Sequence, residues 1–338
     1  MTLAAKGSAV LGAIRFMNGY YLILVTKRRR VGTLCGHAVY TVAETETVEL
    51  PHPSVLREAS ADEAYDERRY CRALESMDLT RDFFFSYTYP LTASLQANVA
   101  AAEAGRAGAP PLESAFCWNA FLAEPVAAAL GGGSDGPVAR WLVAAVHGFF
   151  RQTSLAVGGV GCSLSLLARR SRHFAGTRYL KRGVNDAGRV ANEVETEQIL
   201  DAGRACGHGP PRAAAVVQLR GSVPLFWSQE PSTLSPKPDV LLQRFDPFYA
   251  ATRAHFDSLA ARYGHPVVVL SLIKAQEKRP REMILRRELA AAVEALNAAA
   301  PGAFPGRRVV HCHWDFAAAA KQHGSGVLAE LQVRTPLL

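Results

Sequence analysis

The sequence predicts an α/β molecule, α+β overall: a strand-rich N-terminal subdomain packed on an α/β subdomain. Three observations carry that prediction. The first half is mixed and holds several short β-branched and aromatic runs. The second half alternates strand and helix patterns, which favours layered α/β packing. The 338 residues suffice for two cores. The division is expected at residues 1–158 and 159–338.

The elements follow in order. Residues 19–42 read as a hairpin: Tyr20 to Thr26 as one strand, Lys27-Arg-Arg-Arg30 on the turn side, and Val31 to Val42 as the return. Residues 55–78 are charged and fit a helix. Asp82 to Tyr89, with three phenylalanines, returns to strand character, and Leu91 to Val99 starts another helix. The Ala/Gly/Pro-rich stretch 100–111 and the glycine run 131–136 read as surface insertions. Trp141 to Phe150 and Val160 to Ala168 look like buried strands. Past Glu195 the chain is expected to enter a helix, before a short strand at Val216 to Leu219. Leu234 to Gln243 is extended. Asp246 to Tyr263 and Arg281 to Ala299 are helices around the strand Val267 to Ile273. Arg308 to Cys312 is a strand and Trp314 starts a helix.

Composition narrows the function. Hydrophobic content of 49% and charged content of 20% suit a folded domain. Six scattered cysteines contain no Cys-x-x-Cys pair, which argues against a disulfide framework and a structural zinc site. His311 and His313 flank Cys312 with the alternation of a strand, and no further metal ligands are at hand. No apolar run approaches the roughly 20 residues of a spanning helix. Residues 1–160 hold 14 Lys+Arg and 15 Asp+Glu, whereas residues 161–338 hold 24 and 15, so the whole surplus of +8 lies in the second half. A one-sided basic surface favours an anionic partner. Neither a zinc finger nor an RNA-recognition pattern is present, so nucleic acid is not expected.

The most informative run is Arg178-Tyr-Leu-Lys-Arg-Gly-Val-Asn-Asp-Ala-Gly-Arg-Val-Ala-Asn192-Glu-Val-Glu-Thr-Glu-Gln198, followed by Arg220-Gly-Ser-Val-Pro-Leu-Phe-Trp227. With Val25 to His37, Asp82 to Tyr87 with Leu91, Leu95 and Gln96, and Cys117-Trp-Asn-Ala-Phe-Leu122, it resembles the Sac-domain phosphoinositide phosphatases from about residue 20 to about residue 316. The N-terminal half looks most like the branch acting on 3,5-bisphosphorylated phosphatidylinositol. The resemblance implies a β subdomain on an α/β catalytic subdomain and hydrolysis of phosphate monoesters on inositol lipids. It also implies a peripheral location on the cytosolic face of endomembranes, such as endosomal or vacuolar membranes. Phosphoinositide headgroups, the membrane surface and a regulatory scaffold protein are the expected partners, and no cofactor is expected.

The family's chemistry uses a Cys, five residues, then Arg and usually Thr or Ser. Consecutive backbone N–H groups wrap the phosphate, the field favours the thiolate, and the arginine clamps two oxygens. Only Cys206 has Arg six positions on, Arg212; Pro210 and Pro211 remove N–H donors between them, and Ala213 follows where a hydroxyl is wanted. The pair is read as a chance match. In the family a stretch like His311 to Phe316 precedes the catalytic loop by several dozen residues, and 22 residues follow Phe316 here. The expectation is therefore a phosphatase chain truncated before its nucleophile loop, with a non-catalytic lipid-binding or scaffold module as the alternative.

Arg178, Lys181 and Arg182 are candidate headgroup ligands, or else a solvated turn ending at Gly183. Arg220 is the best candidate to lie near the phosphate. Asn192, Glu195, Glu197 and Ser222 are candidates to order the site, against helix capping and structural ion pairing. Trp227 is a further candidate to support the site, against a place in the core.

Overall fold

The computed structural model describes residues 5–17, 19–50, 60–105, 112, 114–130, 139–176, 181–203, 212–229, 238–277, 281–299, 309–327 and 329. The chain forms two compact units. The first takes residues 1–172 and 194–220; the second takes 173–193 and 221–338. The expected boundary at 158/159 falls instead inside a hairpin of the first unit, and the chain passes between units at 172/173, 193/194 and 220/221.

The first unit is an eight-stranded sheet in sequential order: β1 (Ala9–Arg15), β2 (Tyr20–Leu34), β3 (His37–Leu50), β4 (Phe83–Phe85), β5 (Val146–Val157), β6 (Val160–Arg170), β7 (Val194–Asp201) and β8 (Ala213–Arg220). Every neighbouring pair is antiparallel. Alternation of side chains buries Tyr21, Ile23 and Val25 of β2 with Phe83 and Phe85, while Leu34, Phe84, Leu167 and Ile199 serve a second cluster. Helices α1 (Ala61–Glu75), α2 (Leu95–Glu103) and α3 (Ala120–Ala129) complete the unit. Ser60 and Glu63 form a capping box that starts α1.

Two expectations change here. Lys27 to Arg30 is not a turn: it lies within β2, and the hairpin reverses at Cys35-Gly36. A tight reversal needs positive φ, which that pair supplies at 49° and 88°. The four cations stay exposed on the strand: Lys27 pairs with Glu44 at 2.5 Å, and the Arg28 guanidinium stacks 4.3 Å from the Tyr40 ring centre. Of the stretch Trp141 to Phe150, only the part from Val146 is strand, and Trp141 lies in a short 3-10 turn, half exposed.

The second unit contains α4 (Ala250–Tyr263), α5 (Met283–Ala298) and α6 (Phe316–His323), with the short pair β9 (Trp227–Ser228) and β10 (Leu241–Leu242). Strands β11 (Val267–Ser271) and β12 (Val309–His313) run parallel, joined through α5. Leu285, Leu289, Ala292, Val293 and Leu296 recur at helical spacing along α5 and bury against Phe256, Val309 and Trp227. Parallel pairing with an intervening helix makes this half α/β, as the alternating pattern predicts. No helix among the described residues is long and apolar enough to cross a membrane.

Candidate functional site

The site is built from one hairpin-like loop and one clasp, both in the second unit. Residues 183–191 fold back on themselves. Val184 bridges Val190, the Asn185 N–H donates to Arg189 O (3.0 Å), and the Ala191 N–H donates to Gly183 O (2.9 Å). The Asn185 side chain accepts from the Arg189 N–H at 2.8 Å, closing the turn from inside.

The Gly221-Ser-Val-Pro-Leu-Phe-Trp227 segment clasps this loop. Ser222 Oγ accepts from the Gly183 N–H at 2.8 Å, the Ser222 N–H donates to Ala191 O at 2.9 Å, and the Val184 N–H donates to Leu225 O at 3.0 Å. The clasp is close enough to require glycine. At Gly183, φ is 73°, and a Cβ would stand 2.5 Å from Leu225 O; at Gly188, φ is 72°, and a Cβ would stand 2.6 Å from the backbone nitrogen of His255 in α4.

Two cations sit at the mouth of the loop. Lys181 is exposed, its amino group 4.8 Å from the centre of the Phe174 ring. Asn192, itself at φ 57°, donates from Nδ2 to Lys181 O at 3.2 Å and so fixes the backbone there. The Arg182 guanidinium lies 5.7 Å from the centre of the Trp227 ring. Trp227 is buried, and its Nε1–H donates to Val223 O at 3.1 Å. At the far end of the loop, buried Glu193 accepts from Arg262 of α4 at 2.7 Å. Burial pushes the His255 imidazole pKa below its ordinary value, while Glu193 and the Gly188 carbonyl pull the other way.

The remaining sequence candidates divide. Arg178 and Cys206 lie outside the described residues. Glu195 and Glu197 are not in a helix: they lie on β7 of the first unit, on its buried face. Both carboxylates pair with Arg169 of β6, which is fully buried; the Glu197 contact is 2.5 Å. Arg169 also donates to Leu91 O and, at 2.9 Å, to Ala93 O, while Glu197 accepts from the Leu95 N–H at 2.7 Å. The trio thus ties the start of α2 to the sheet. Burial opposes charge on Arg169, but Glu195 and Glu197 outweigh it and hold the guanidinium pKa above its ordinary value. The alternation Glu195, Glu197, Ile199 is the strand signal that a helical reading misses.

Arg220 ends β8, exposed and opposite Val194. Arg212 closes the β7–β8 hairpin with its backbone: its N–H donates to Gly203 O at 3.1 Å, and its carbonyl accepts from Ala202 at 2.9 Å. Among the described cysteines, burial pushes the Cys117 thiol up to about 11, and burial, with Asp201 and Glu197, raises that of Cys35. A nucleophilic thiol needs the opposite shift. Among the described residues no group of three or more His, Cys, Asp or Glu converges on a common point for a metal.

The clasped loop places the two halves of the most informative motif against each other. Comparison with known proteins shows what this sequence pattern belongs to: residues 8–321 match the model of the SacI homology domain. The chain belongs to the SacI homology domain family. It is 47% identical over 334 residues, 98% of the chain and 35% of the relative, to the protein "Phosphatidylinositol-3-phosphatase SAC1" of Arabidopsis thaliana. It is 40% identical over 329 residues, 95% of the chain and 37% of the relative, to "Polyphosphoinositide phosphatase" of Schizosaccharomyces pombe. It is 30% identical over 283 residues, 81% of the chain and 44% of the relative, to "Phosphatidylinositol-3-phosphatase SAC1-B" of Danio rerio. This SacI homology chain therefore spans between about a third and less than half of the length of these curated relatives.

Proposed function

We propose that this SacI homology chain belongs to a phosphoinositide phosphatase and recognises the phosphorylated inositol headgroup through the clasped 181–193 loop. The observation that carries the reading is the family match across nearly the whole chain, to relatives named for phosphoinositide phosphatase activity. The geometry adds a physical rationale. Lys181 and Arg182 sit on a backbone held by Asn192, Ser222 and the Gly183 turn, so their charges are presented without the full ordering cost of a loose loop. Lysine and arginine are the donors that phosphate monoesters take. Arg178 is proposed as a further headgroup ligand in the second unit, and Arg220, at the end of β8, as a separate headgroup contact of the first.

The proposed action of the longer relatives' kind of protein is hydrolysis of a phosphate monoester on an inositol lipid at the surface of an endomembrane. For the 338 residues themselves the proposal is recognition without turnover. Their one Cys-x5-Arg match, Cys206 to Arg212, carries two prolines where N–H donors are needed. Titration of the chain with soluble short-chain phosphoinositides tests this. Binding is expected to weaken with salt and to be tighter for the 3,5-bisphosphorylated lipid than for a monophosphate. Lys181→Ala with Arg182→Ala is expected to cut affinity about tenfold or more, the scale of charge-assisted bonds lost. Affinity unchanged in the double variant would remove the loop from the reading.

A further inference from the structure

The two most exposed large apolar side chains among the described residues are Phe245, at 85%, and Phe248, at 80%. They stand three residues apart in the second unit, a short step from Leu241 and Leu242, which are 54% and 45% exposed. Four large apolar groups within eight residues, all facing water, form a patch of the kind that marks an interaction site.

The segment is held firmly at both ends. At its start Leu241 and Leu242 pair with Ser228 and Trp227, and the Gln243 N–H donates to Phe226 O at 2.9 Å. At its end the Tyr249 N–H donates to Asp246 O at 3.1 Å, making a turn with Pro247 in second place and Phe248 in third. The Asp246 carboxylate accepts from the Ala251 N–H at 3.1 Å, which anchors that turn to the first turn of α4. The phenylalanines are thus displayed on a braced tip, with little freedom left to lose on burial.

Charge decides what the tip meets. The second unit holds 18 Lys+Arg and 12 Asp+Glu, so it is cationic. Next to the tip, Arg244 and Arg253 are exposed; Arg244 lies 4.0 Å from the centre of the Phe226 ring and pairs with Asp186. Of the acids in the segment, Asp246 is engaged at α4 and Asp239 pairs with Arg281. Aromatic groups flanked by arginines, on a cationic body, complement an anionic bilayer: the rings enter the acyl boundary and the guanidinium groups remain among phosphates.

We infer that Leu241, Leu242, Phe245 and Phe248 form an interfacial anchor that seats the second unit on an anionic lipid surface. The inference rests on the lipid-directed reading proposed above, and it adds a contact independent of headgroup recognition.

The test uses the 338-residue chain in co-sedimentation with phosphatidylcholine vesicles, with and without phosphatidylserine and a phosphoinositide. The expected result is binding to the anionic vesicles, and a loss of about tenfold or more in Phe245→Ser with Phe248→Ser. Because both rings face water, the double variant is expected to melt like the parent and to bind the soluble short-chain lipid equally well. A second variant, Phe245→Trp with Phe248→Trp, is expected to keep or strengthen vesicle binding, since indole favours the interface. Vesicle binding unchanged by the serine pair would overturn the inference. So would a parent chain that binds the soluble lipid but not the vesicles, which leaves the headgroup reading intact. A parent that binds neither would overturn the headgroup reading and the anchor with it. A concentration-dependent dimer abolished by the serine pair would assign the patch to a second copy of the chain and overturn the inference.

Discussion

Arg169 shows how much hangs on one side chain. It donates to two carbonyls of the 91–93 stretch and to the carboxylates of Glu195 and Glu197, with no exposure to water. Removing it takes a buried cation away from two buried carboxylates. Arg169→Ala is therefore expected to destabilise the first unit by about 3–5 kcal/mol, read from urea unfolding; a change below about 1 kcal/mol would contradict this role. The two glutamates are visible in the sequence as part of the motif, but their use is not. The partner arrives from a neighbouring strand, and single-sequence reading cannot register β6 against β7. His255 carries a second expectation. Burial lowers its pKa below the ordinary imidazole value, so the unfolded chain binds the proton more readily than the folded one. Its contribution to stability is full above about pH 6.5 and shrinks as pH falls through that value toward the lower folded pKa. His147, His311 and His313 shift in the same direction, burial first in each case. Melting temperature is thus expected to drop between about pH 7 and pH 5, with a shallower slope in His255→Gln. An identical slope in that variant would remove His255 from the account.

At the scale of elements, the loop at 181–193 depends on backbone that only glycine fills. Gly183→Ala forces a Cβ toward Leu225 O from a left-handed φ. It is expected to cost about 2 kcal/mol or more and to weaken binding of short-chain phosphoinositide, because Lys181 and Arg182 directly precede it in the chain. Differential scanning fluorimetry and the lipid titration check the two parts separately. Full stability with full affinity would show that the clasp is dispensable. Much of this element was legible: Asn185, Gly188 and Gly183 are turn residues, and Ser222 precedes Pro224 in a second loop. That the two loops clasp each other was not legible in the sequence, since the contacts bridge about thirty to forty residues. The Glu195–Leu200 stretch misled because acid-rich character reads as helix while its alternation reads as strand. The buried pairing with Arg169 settles it as strand. The Lys27-to-Arg30 tetrad misled for a related reason: charges on the exposed face of a long strand look like a loop until the true turn at Cys35-Gly36 is found.

For the whole molecule, the class of each half followed from patterning: antiparallel strands in the first, and a parallel pair with an intervening helix in the second. The boundary did not. The first unit recruits β7 and β8, which lie beyond residue 190, because β6 needs a partner on its open edge. The same excursion carries Glu195, Glu197 and Arg220 into the first unit and leaves Lys181, Arg182, Asn192, Ser222 and Trp227 in the second. At this scale the proposal is headgroup recognition by a polypeptide whose one Cys-x5-Arg match, Cys206 to Arg212, has two prolines where N–H donors are needed. One calorimetric titration of the 338-residue chain with a soluble phosphoinositide, with inorganic phosphate assayed in the same cell, tests that most directly. The prediction is saturable, salt-sensitive binding with no phosphate released. Absence of binding, or phosphate release that Cys206→Ser abolishes, would contradict it.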